Sequence, residues 1–395
     1  MKQRHIGVLG PCNPYELRDY ITNTQEVIRC NNAATSVTTY IKELVCSGFK
    51  VTVFSFYPAP VNKTIYYTGG NFEMYMVAAN SRIRGVGLPF RLIRLKKELN
   101  QHIATLDILH AQWTYEYALV AKSFAKKIPV FCTVRDWCPY IMTLTKTFSS
   151  KILWYVNYLI FKNVMSSKEI HFIANSTYTY NCITAAFPEK HVELIPNPIS
   201  KGNIVSERKT NPPYPVFISI AQSVESPRKN IIQLLRAFSL FKKRHDKAEL
   251  IIVGAYNANS GIITEAKREG LSEGVSFVGS VKHDMLFEYI DKCTCLVHPA
   301  FEETFGNILL EAMARKVVCI GGEDSGAVPE VLGYGERGIL CDIKDPLAIC
   351  EAMEKSLDKD LVTQLIDSAS AALNNLYRSD INMQKIIDVY RCSYK

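Results

Sequence analysis

Two carboxylates in the second half of the chain, Glu303 and Glu311, are separated by seven residues. The preceding residues Cys293–Val297 are apolar and β-prone, which predicts a buried strand. The residues Asn307–Ala314 contain no Pro or Gly and predict a helix. Glu303 then lies in a strand-to-helix turn, and Glu311 lies one to two turns into the helix. The N–H groups that open such a helix attract anions, and the two carboxylates suit hydroxyl groups such as a ribose diol.

Two adjacent cations, Arg228 and Lys229, lie within Ser226–Asn230, after the predicted strand Val216–Ala221 and at the start of the predicted helix Asn230–Arg244. Paired cations beside a helix N-terminus can neutralise a diphosphate. The alternative is that the pair only forms a basic helix cap.

The residues around the two glutamates resemble a motif of retaining glycosyltransferases with the GT-B fold, in particular family 4. The family form is Glu-Gly-Phe-Gly followed by Leu-Glu-Ala-Met-Ala. This chain has Glu303-Thr304-Phe305-Gly306 and then Leu310-Glu311-Ala312-Met313-Ala314, with Thr304 in place of Gly. Three more segments resemble the family in order and spacing, namely Leu250–Gly254, Val275–Val281 and Ser325–Val331. For the last of these, a plain turn before a helix with Pro at its first position fits equally well.

The resemblance implies roles for these residues. Glu303 would hold hydroxyls of the donor sugar, Glu311 would hold the ribose, and Lys229 with Arg228 would stabilise charge on the leaving diphosphate. Where the family has an Arg, this chain has Gln222, so either Arg228 substitutes for it or the phosphate contact is weaker. The predicted donor-binding residues are Glu303, Thr304, Phe305, Gly306, Asn307, Ile308, Glu311, Lys229, Arg228, Gly254 and Val281.

The first half of the chain resembles the family less closely. Asp107–Trp113 is similar to the family's Asp-x-x-His-x-His, with Gln112 replacing the second His. Thr133–Trp137 is similar to Thr-x-His-Asp, with Arg135 replacing the His. Asn31–Ala34 stands where the family has Gly-Gly, and Asn also tolerates unusual backbone angles and caps helices.

These matches imply that Arg135 and Asp136 belong to the catalytic centre, and that His110 and Asp136 face the acceptor or the sugar. Arg135 can bind a sugar hydroxyl or a phosphate but cannot serve as a base. Asp136 would orient the acceptor hydroxyl; the alternative is a carboxylate that caps a loop. For His110 the alternative is a core histidine.

Strand-like and helix-like segments alternate along the chain, which predicts parallel sheets with crossover helices. The predicted strands are Ile6–Leu9, Lys50–Phe56, Asp107–Ala111, Val130–Val134, Ile170–Ala174, Val192–Ile195, Val216–Ala221, Leu250–Val253, Val275–Val278, Cys293–Val297 and Val317–Ile320. With the resemblance, the predicted fold class is α/β and GT-B-like, with two Rossmann-type doubly wound domains facing a central cleft.

The domain prediction has four parts. Residues 1–200 form an acceptor-binding domain and residues 215–377 form a nucleotide-sugar-binding domain, joined by a Pro-rich, polar linker at 201–214. Residues 378–395 contain a predicted helix, Ile381–Tyr394, that crosses back to the first domain.

The composition excludes several classes of protein. The chain has 395 residues and is 48% hydrophobic and 21% charged, which is typical of a globular protein. The net charge of +8 is too modest to indicate nucleic acid but suits an anionic donor or membrane surface. The 12 Cys are scattered without a Cys-x-x-Cys pair, which favours buried, reduced thiols. The start of the chain lacks a signal-peptide pattern, and the longest apolar run, Ile152–Phe161, is too short to span a bilayer.

Residues 81–103 combine basic residues with leucines at helical spacing. Such a helix either rests on an anionic membrane that carries a lipid-linked acceptor, or packs on its own sheet with a solvated charged face. We therefore predict a cytoplasmic protein, peripheral at the inner face of the membrane under the first alternative.

The implied function is transfer of a sugar from a UDP- or GDP-sugar to an acceptor hydroxyl, with retention at the anomeric carbon, in polysaccharide, glycolipid or glycan assembly. The expected partners are the nucleotide-sugar, as co-substrate, and a carbohydrate or lipid-linked acceptor. We expect no cofactor and no metal, since the only Asp-x-Asp, Asp358–Asp360, lies in a predicted helical region. The alternatives are a nucleotide-sugar epimerase of the same fold and a non-catalytic nucleotide-sugar-binding protein, the latter motivated by Gln112, Arg135 and Gln222.

Overall fold

The computed structural model describes residues 3–23, 26–30, 34–57, 63–79, 87–144, 147–257 and 261–393. It divides into two compact units, Met1–Pro198 with Ser379–Lys395, and Ile199–Arg378. Most of the segment that replaces the family's Gly-Gly, 31–33, and the beginning of the basic segment, 81–86, lie outside the described residues.

The first unit is built on an eight-stranded sheet. Its strands are β1 (His5–Leu9), β2 (Lys50–Tyr57), β3 (Ile65–Gly69), β4 (Phe72–Ala78), β5 (Ile108–Gln112), β6 (Val130–Val134), β7 (Ile170–Ala174) and β8 (Val192–Leu194). The order is β3-β4-β2-β1-β5-β6-β7-β8, and only the β3–β4 pair is antiparallel. Every residue of β1, β5 and β6 is buried, as expected for parallel strands covered on both faces.

Within the described part of this unit, six α-helices connect these strands. They are α1 (Thr35–Cys46), α2 (Leu88–His102), α3 (Glu116–Lys122), α4 (Cys138–Thr143), α5 (Phe148–Met165) and α6 (Thr177–Ala186). The helices α2, α3, α5 and α6 contribute to one hydrophobic cluster with the sheet, whereas α1 contributes to a separate cluster on the sheet. The unit is therefore a layered α/β structure with two core regions.

The second unit contains a six-stranded parallel sheet. Its strands are β9 (Val216–Ser223), β10 (Glu249–Ala255), β11 (Val275–Gly279), β12 (Cys295–His298), β13 (Val318–Gly322) and β14 (Ile339–Cys341). The order is β11-β10-β9-β12-β13-β14. The strand order reverses between β9 and β12, and doubly wound sheets bind ligands at the carboxyl ends of strands at such a switch point.

The helices of the second unit are α7 (Ile231–Lys242), α8 (Gly261–Arg268), α9 (His283–Asp291), α10 (Asn307–Ala314), α11 (Val328–Val331), α12 (Pro346–Lys355) and α13 (Lys359–Ala372). The last helix, α14 (Ser379–Cys392), belongs to the first unit, where it packs against α1. Its side chains Met383, Ile386 and Tyr390 are buried in the same cluster as α1. The apolar side chains of α14 thus complete a hydrophobic cluster whose other residues lie far earlier in the chain.

All the strands predicted from the sequence are present, with shifts at their ends. The predicted strand Cys293–Val297 begins two residues later, because the Cys293 N–H bonds to the carbonyl of Ile290 at the end of α9 instead of joining the sheet. Three strands, β3, β4 and β14, were missed. The first two form an edge hairpin around Gly69 and Gly70, and β14 has only three residues, too few for a clear pattern.

The segment 201–214, predicted as a linker, belongs to the second unit. The Val205 N–H bonds to the carbonyl of Ala314, and Lys209 Nζ lies 3.4 Å from Asp291 Oδ2. Asp291 also accepts two hydrogen bonds from Arg315, at 2.6 and 2.5 Å. These long-range contacts hold a Pro-rich segment whose composition by itself suggests a mobile connection.

The cysteines are free, and nine of the 12 are buried. Burial raises the pKa of buried thiols such as Cys138 and Cys30, in each case to about 11. These side chains therefore act as small apolar residues of the core.

Candidate active site

Two cations, two carboxylates and a histidine meet in the second unit, where the loops that follow β9 and β12 come together. Lys229 Nζ donates a hydrogen bond to Glu303 Oε1. Arg228 Nη1 lies 3.0 Å from Glu302 Oε2 and 3.9 Å from Glu303 Oε2. His298 Nε2 lies 3.3 Å from Glu303 Oε1. The structure thus brings the predicted residues Lys229, Arg228 and Glu303 together at the switch point of the sheet.

The cluster is enclosed but retains some exposure to solvent. The exposed fraction of the side chain is 14% for Lys229, 13% for Glu303 and 23% for Arg228. His298 and Glu302 are almost completely buried. A ligand can therefore reach the ends of the three partly exposed side chains, while the other two support them from within.

Backbone hydrogen bonds fix the position of Glu303. The Ala327 N–H donates to the Glu303 carbonyl at 2.8 Å, and the Glu303 N–H donates to the Ser325 carbonyl at 3.4 Å. The Phe301 N–H donates to the carbonyl of Arg228 at 2.8 Å. This bond connects the loop that carries Glu302 and Glu303 to the loop that carries Arg228 and Lys229. The segment Ser325–Val331 is indeed a turn before a helix with Pro in its first turn, and it also anchors Glu303.

Two residues in left-handed backbone conformations shape the loops. Asn230 has φ 54° and ends the one-turn helix Pro227–Lys229, and its Nδ2 donates to the carbonyl of Ile343 at 2.7 Å. Gly306 has φ 88° and precedes α10. Asn and Gly are the residues that adopt this conformation most readily. Both loops are therefore positioned by residues whose type matches the backbone.

The protonation states follow from the surroundings. Burial alone raises the pKa of Glu303, but Lys229, His298 and Arg228 outweigh burial and hold the pKa of this carboxyl well below its usual range. Burial lowers the pKa of His298, despite the nearby carboxylate. At neutral pH the cluster therefore contains an anionic Glu303, which can accept but not donate hydrogen bonds, beside a neutral imidazole.

Glu311 lies on α10 and pairs with a histidine that sequence reasoning missed. His283 Nε2, from the start of α9, lies 3.1 Å from Glu311 Oε1, and the Glu311 side chain is 7% exposed. His283 belongs to none of the segments that resemble the family. Its position just after the matched segment Val275–Val281 is the one signal that could have drawn attention to it.

The other predicted donor-binding residues occupy varied surroundings. Thr304 is buried, and Phe305 packs its ring against Tyr377, 5.9 Å away between ring centroids. The side chain of Phe305 is thus part of the hydrophobic core. Val281 and Ile308 are partly buried against the core, and Asn307 opens α10. At the start of α10, the Leu309 N–H donates to the carbonyl of Gly306 at 2.9 Å.

Gly254 and Gln222 lie at the ends of β10 and β9. Gly254 has φ 149°, and a β-carbon there would come within 2.0 Å of the Ala221 carbonyl oxygen. Only glycine allows the two strands to approach so closely. Gln222 is exposed. Arg228 lies in the cluster itself, with its Nη1 3.9 Å from Glu303 Oε2.

In the first unit, Arg135 is buried among neutral hydrogen-bond acceptors. Its Nε and Nη2 donate to Gln112 Oε1 at 2.9 and 2.5 Å, and its Nη1 donates to Ser36 Oγ at 3.0 Å and Asn197 Oδ1 at 2.6 Å. Burial lowers the pKa of Arg135 to about 10, so the guanidinium remains charged at neutral pH. Gln112 and Arg135, which each replace a His of the family pattern, therefore bind each other.

His110 is fully enclosed in the first unit. Its Nδ1 lies 2.9 Å from the Tyr40 hydroxyl and 2.5 Å from the Tyr390 hydroxyl, and its Nε2 lies 2.8 Å from Thr133 Oγ1. Burial and the nearby Arg135 lower the pKa of His110 to about 3. A sugar could reach this imidazole only by displacing one of the tyrosines, so the contacts favour the alternative of a core histidine.

Asp136 follows β6 and accepts a hydrogen bond from Trp113 Nε1 at 2.7 Å. Trp113 follows β5 and has φ 96°, which is unusual for a large aromatic residue. Residues held in such conformations often lie at functional sites. Trp113, the last residue of the matched segment Asp107–Trp113, is a further candidate that residue type alone did not indicate, because backbone conformation is not visible in residue type.

No group of three or more His, Cys, Asp or Glu residues suited to a metal ion occurs among the described residues. The cluster around Glu303 contains its own two cations, Lys229 and Arg228.

The fold is shared with solved glycosyltransferases. Sucrose-phosphate synthase from Thermosynechococcus elongatus superposes with a TM-score of 0.81 at 16% identity over 99% of both chains. Anabaena HepE, solved in complex with UDP-glucose, superposes with a TM-score of 0.71 at 16% identity over 98% of this chain and 99% of its own. The two α/β units thus define a protein of the GT-B fold.

Two family models match successive parts of the sequence. The model described as Glycosyltransferase Family 4 matches residues 33–201, and the model described as Glycosyl transferases group 1 matches residues 202–371. Together they account for most of the chain, which belongs to the group 1 glycosyltransferases.

Curated relatives match part of the chain. An N-acetyl-alpha-D-glucosaminyl L-malate synthase of Bacillus anthracis is 29% identical over 167 residues, which are 42% of this chain and 42% of that protein. A D-inositol 3-phosphate glycosyltransferase of Streptomyces griseus is 24% identical over 213 residues, which are 52% of this chain and 45% of that protein. The alignments span less than half the length of these relatives.

Proposed function

We propose that this protein transfers a sugar from a nucleotide-sugar to an acceptor hydroxyl with retention at the anomeric carbon, and that its second unit binds the donor. The observation that carries the proposal is the contact of Lys229 and Arg228, after β9, with Glu303, after β12. These side chains combine what a sugar diphosphate requires, namely cations for the phosphates and an anionic acceptor for sugar hydroxyls.

Donor binding would exchange the partners within this cluster. Lys229 and Arg228 are attracted to the diphosphate, whose charge exceeds that of a single carboxylate. Glu303, released from Lys229, then accepts hydrogen bonds from sugar hydroxyls. Before the donor binds, Lys229, His298 and Arg228 hold the pKa of Glu303 low, so the carboxyl that receives the sugar is anionic. The two cations instead stabilise the negative charge that develops on the departing diphosphate.

In the transfer step, the bond between the anomeric carbon and the phosphate oxygen breaks. A bond from the acceptor oxygen to the anomeric carbon forms on the same face of the sugar. The departing phosphate takes the proton of the acceptor hydroxyl, so no protein base is needed. This scheme needs no metal ion, because Lys229 and Arg228 supply the positive charge.

Glu311 and His283 are proposed to bind the ribose of the nucleotide. A carboxylate accepts hydrogen bonds from a diol, as in other doubly wound nucleotide sites. His283 Nε2 lies 3.1 Å from Glu311 Oε1 and orients this carboxylate. The UDP-glucose bound to HepE supports a UDP-sugar as the first donor to test. The names of the relatives support an acceptor that is a small hydroxyl compound or a growing glycan.

The test is turnover with a panel of UDP-, GDP- and dTDP-sugars, with products detected by mass spectrometry and anomeric configuration assigned by NMR. We expect Lys229→Met and Glu303→Gln to lower kcat by about two to three orders of magnitude, as for loss of a group that stabilises transition-state charge. The matched control is Glu323→Gln, an exposed carboxylate in the loop after β13.

The outcomes separate the candidate functions. Wild-type rates in both variants would remove the proposed roles, and a product of inverted configuration would contradict retention. Donor binding without turnover with any acceptor would indicate a binding protein. A changed donor sugar without transfer would indicate an epimerase.

A further inference from the structure

Two helices of the first unit expose apolar side chains at helical spacing. On α5 the exposed fractions are 79% for Phe148, 52% for Ile152, 54% for Tyr155 and 48% for Leu159. The intervals of four, three and four residues place these side chains in one stripe along the helix. Scattered exposed apolar residues are common, but a contiguous stripe marks an interaction site.

The second helix is α2, where Phe90 is 67% and Ile93 is 64% exposed. The helix α3 packs against both α2 and α5, and its residues Tyr117, Ala118 and Val120 are buried. All three helices contribute to the same hydrophobic cluster on one face of the sheet. The two apolar stripes therefore belong to one outer layer of the first unit.

Lysines accompany both stripes. Lys151 and Lys162 are exposed on α5, and Lys96 and Lys97 are exposed on α2. The helix α5 has no acidic residue, and Glu98, the single acidic residue of α2, hydrogen-bonds to Thr64. Within the ranges that the structure describes, none of the four lysines forms an ion pair. The layer thus combines apolar side chains with four unpaired lysines, although it also contains Glu116, which lies 3.9 Å from Arg91 Nη1 of α2.

We infer that this layer is a docking surface for an anionic lipid bilayer. We define the docking surface as Phe90, Ile93, Lys96, Lys97, Phe148, Lys151, Ile152, Tyr155, Leu159 and Lys162. Apolar side chains of a surface helix enter the boundary between headgroups and acyl chains, and lysines contact lipid phosphates. The described helices include none that is both long and apolar enough to cross a bilayer, so the contact is peripheral.

A second copy of this chain fits the docking surface less well than an anionic bilayer does. A two-fold symmetric dimer through this layer would place the four lysines of one copy against those of the other. Such like-charge contacts are unfavourable, whereas an anionic bilayer complements every lysine.

The basic helix noted in the sequence is α2. The larger apolar stripe lies on α5, which contains the apolar run Ile152–Phe161 that is too short to span a bilayer.

The test is cosedimentation of the full-length protein with vesicles made of equal parts of phosphatidylglycerol and phosphatidylcholine. Binding should weaken as salt is added. We expect the double variant Lys151→Gln with Lys162→Gln to lower the partition coefficient roughly thirtyfold, because each lysine contributes a factor of about five and the two factors multiply. We expect Ile152→Gln with Leu159→Gln to lower it by at least about tenfold.

Two control variants match the exposed residues outside the docking surface. Leu347→Gln replaces a leucine that is 48% exposed in the second unit, like Leu159, and Lys385→Gln replaces an exposed lysine of α14. Neither should change vesicle binding. The inference is overturned if the wild type does not bind the vesicles, or if the controls lose as much binding as the docking-surface variants. It is also overturned if sedimentation without lipid shows a dimer that Ile152→Gln with Leu159→Gln disrupts. Because no substrate is present, failure here leaves the proposed transfer reaction untouched.

Discussion

At Glu303, burial and charge act in opposite directions on one carboxyl group. Burial favours the protonated form, but Lys229, His298 and Arg228 favour the anion and lower the pKa. At His110 the two effects act together, because burial and the nearby Arg135 both disfavour the protonated imidazole. The first residue is therefore kept charged and ready to accept hydrogen bonds, whereas the second is kept neutral and internally hydrogen-bonded.

The lowered pKa of His110 predicts a pH dependence of stability. The unfolded chain binds a proton at this residue below about pH 6.5, but the folded chain does not until about pH 3. The free energy of unfolding should therefore fall with decreasing pH through this window, with a contribution of about 1.4 kcal/mol per pH unit from this residue. Urea unfolding across the window should show a smaller slope for His110→Gln than for the wild type.

The comparison of slopes does not depend on the absolute stability of the variant. His191→Gln serves as the control, since the His191 side chain is 87% exposed and solvent reaches it in both states. Equal slopes for the wild type and His110→Gln would contradict the prediction.

Among the elements, the ends of β9 and β10 determine where the loop that carries Arg228 and Lys229 begins. Gly254 allows β10 to approach the carbonyl of Ala221 on β9, and the register of the two strands shifts beside it. Lys229 lies in the connection that follows β9, as the last residue of a one-turn helix closed by Asn230. Packing at the strand ends therefore sets the position of a side chain that is proposed to bind the diphosphate.

Gly254→Ala should destabilise the protein by roughly 3 kcal/mol or more, because the new methyl group meets a backbone oxygen and the backbone angle disfavours any side chain. Denaturant unfolding measures the change. The control is Gly261→Ala, where a β-carbon would meet nothing within 4 Å. Similar stabilities for the two variants would show that the strands separate at little cost.

For the whole molecule, each unit has its own hydrophobic clusters. The first unit is discontinuous, because α14 comes from the end of the chain and covers α1. Tyr390 of α14 also contacts His110 and Tyr40. The integrity of the first unit therefore depends on residues that follow the whole second unit in the sequence.

Deletion of residues 379–395 should destabilise the first unit selectively, since it removes the buried Met383, Ile386 and Tyr390. Hydrogen exchange followed by mass spectrometry should show lost protection in β1, β5 and α1, with β9 and β12 still protected. Deletion of residues 394–395 alone is the control. Unchanged exchange in α1 after the longer deletion would contradict the assigned role of α14.

The sequence by itself determined the α/β class, the core strands and the local arrangement at Glu303. Periodicity, glycine and proline positions, and the motif from Glu303 to Ala314 all act over short distances along the chain. These signals also indicated Lys229 and Arg228 as candidates. They placed each candidate on its own loop but did not establish which side chain each would meet.

Only the tertiary structure decided the partners. Lys229 and Glu303 are 74 residues apart, and they meet because β9 and β12 pair in the sheet. The pairings of Glu311 with His283, Arg135 with Gln112, and His110 with Tyr390 also depend on which elements become neighbours. Residue type encodes burial and backbone preference locally, whereas the neighbours of a strand end are set by long-range pairing that no short pattern contains.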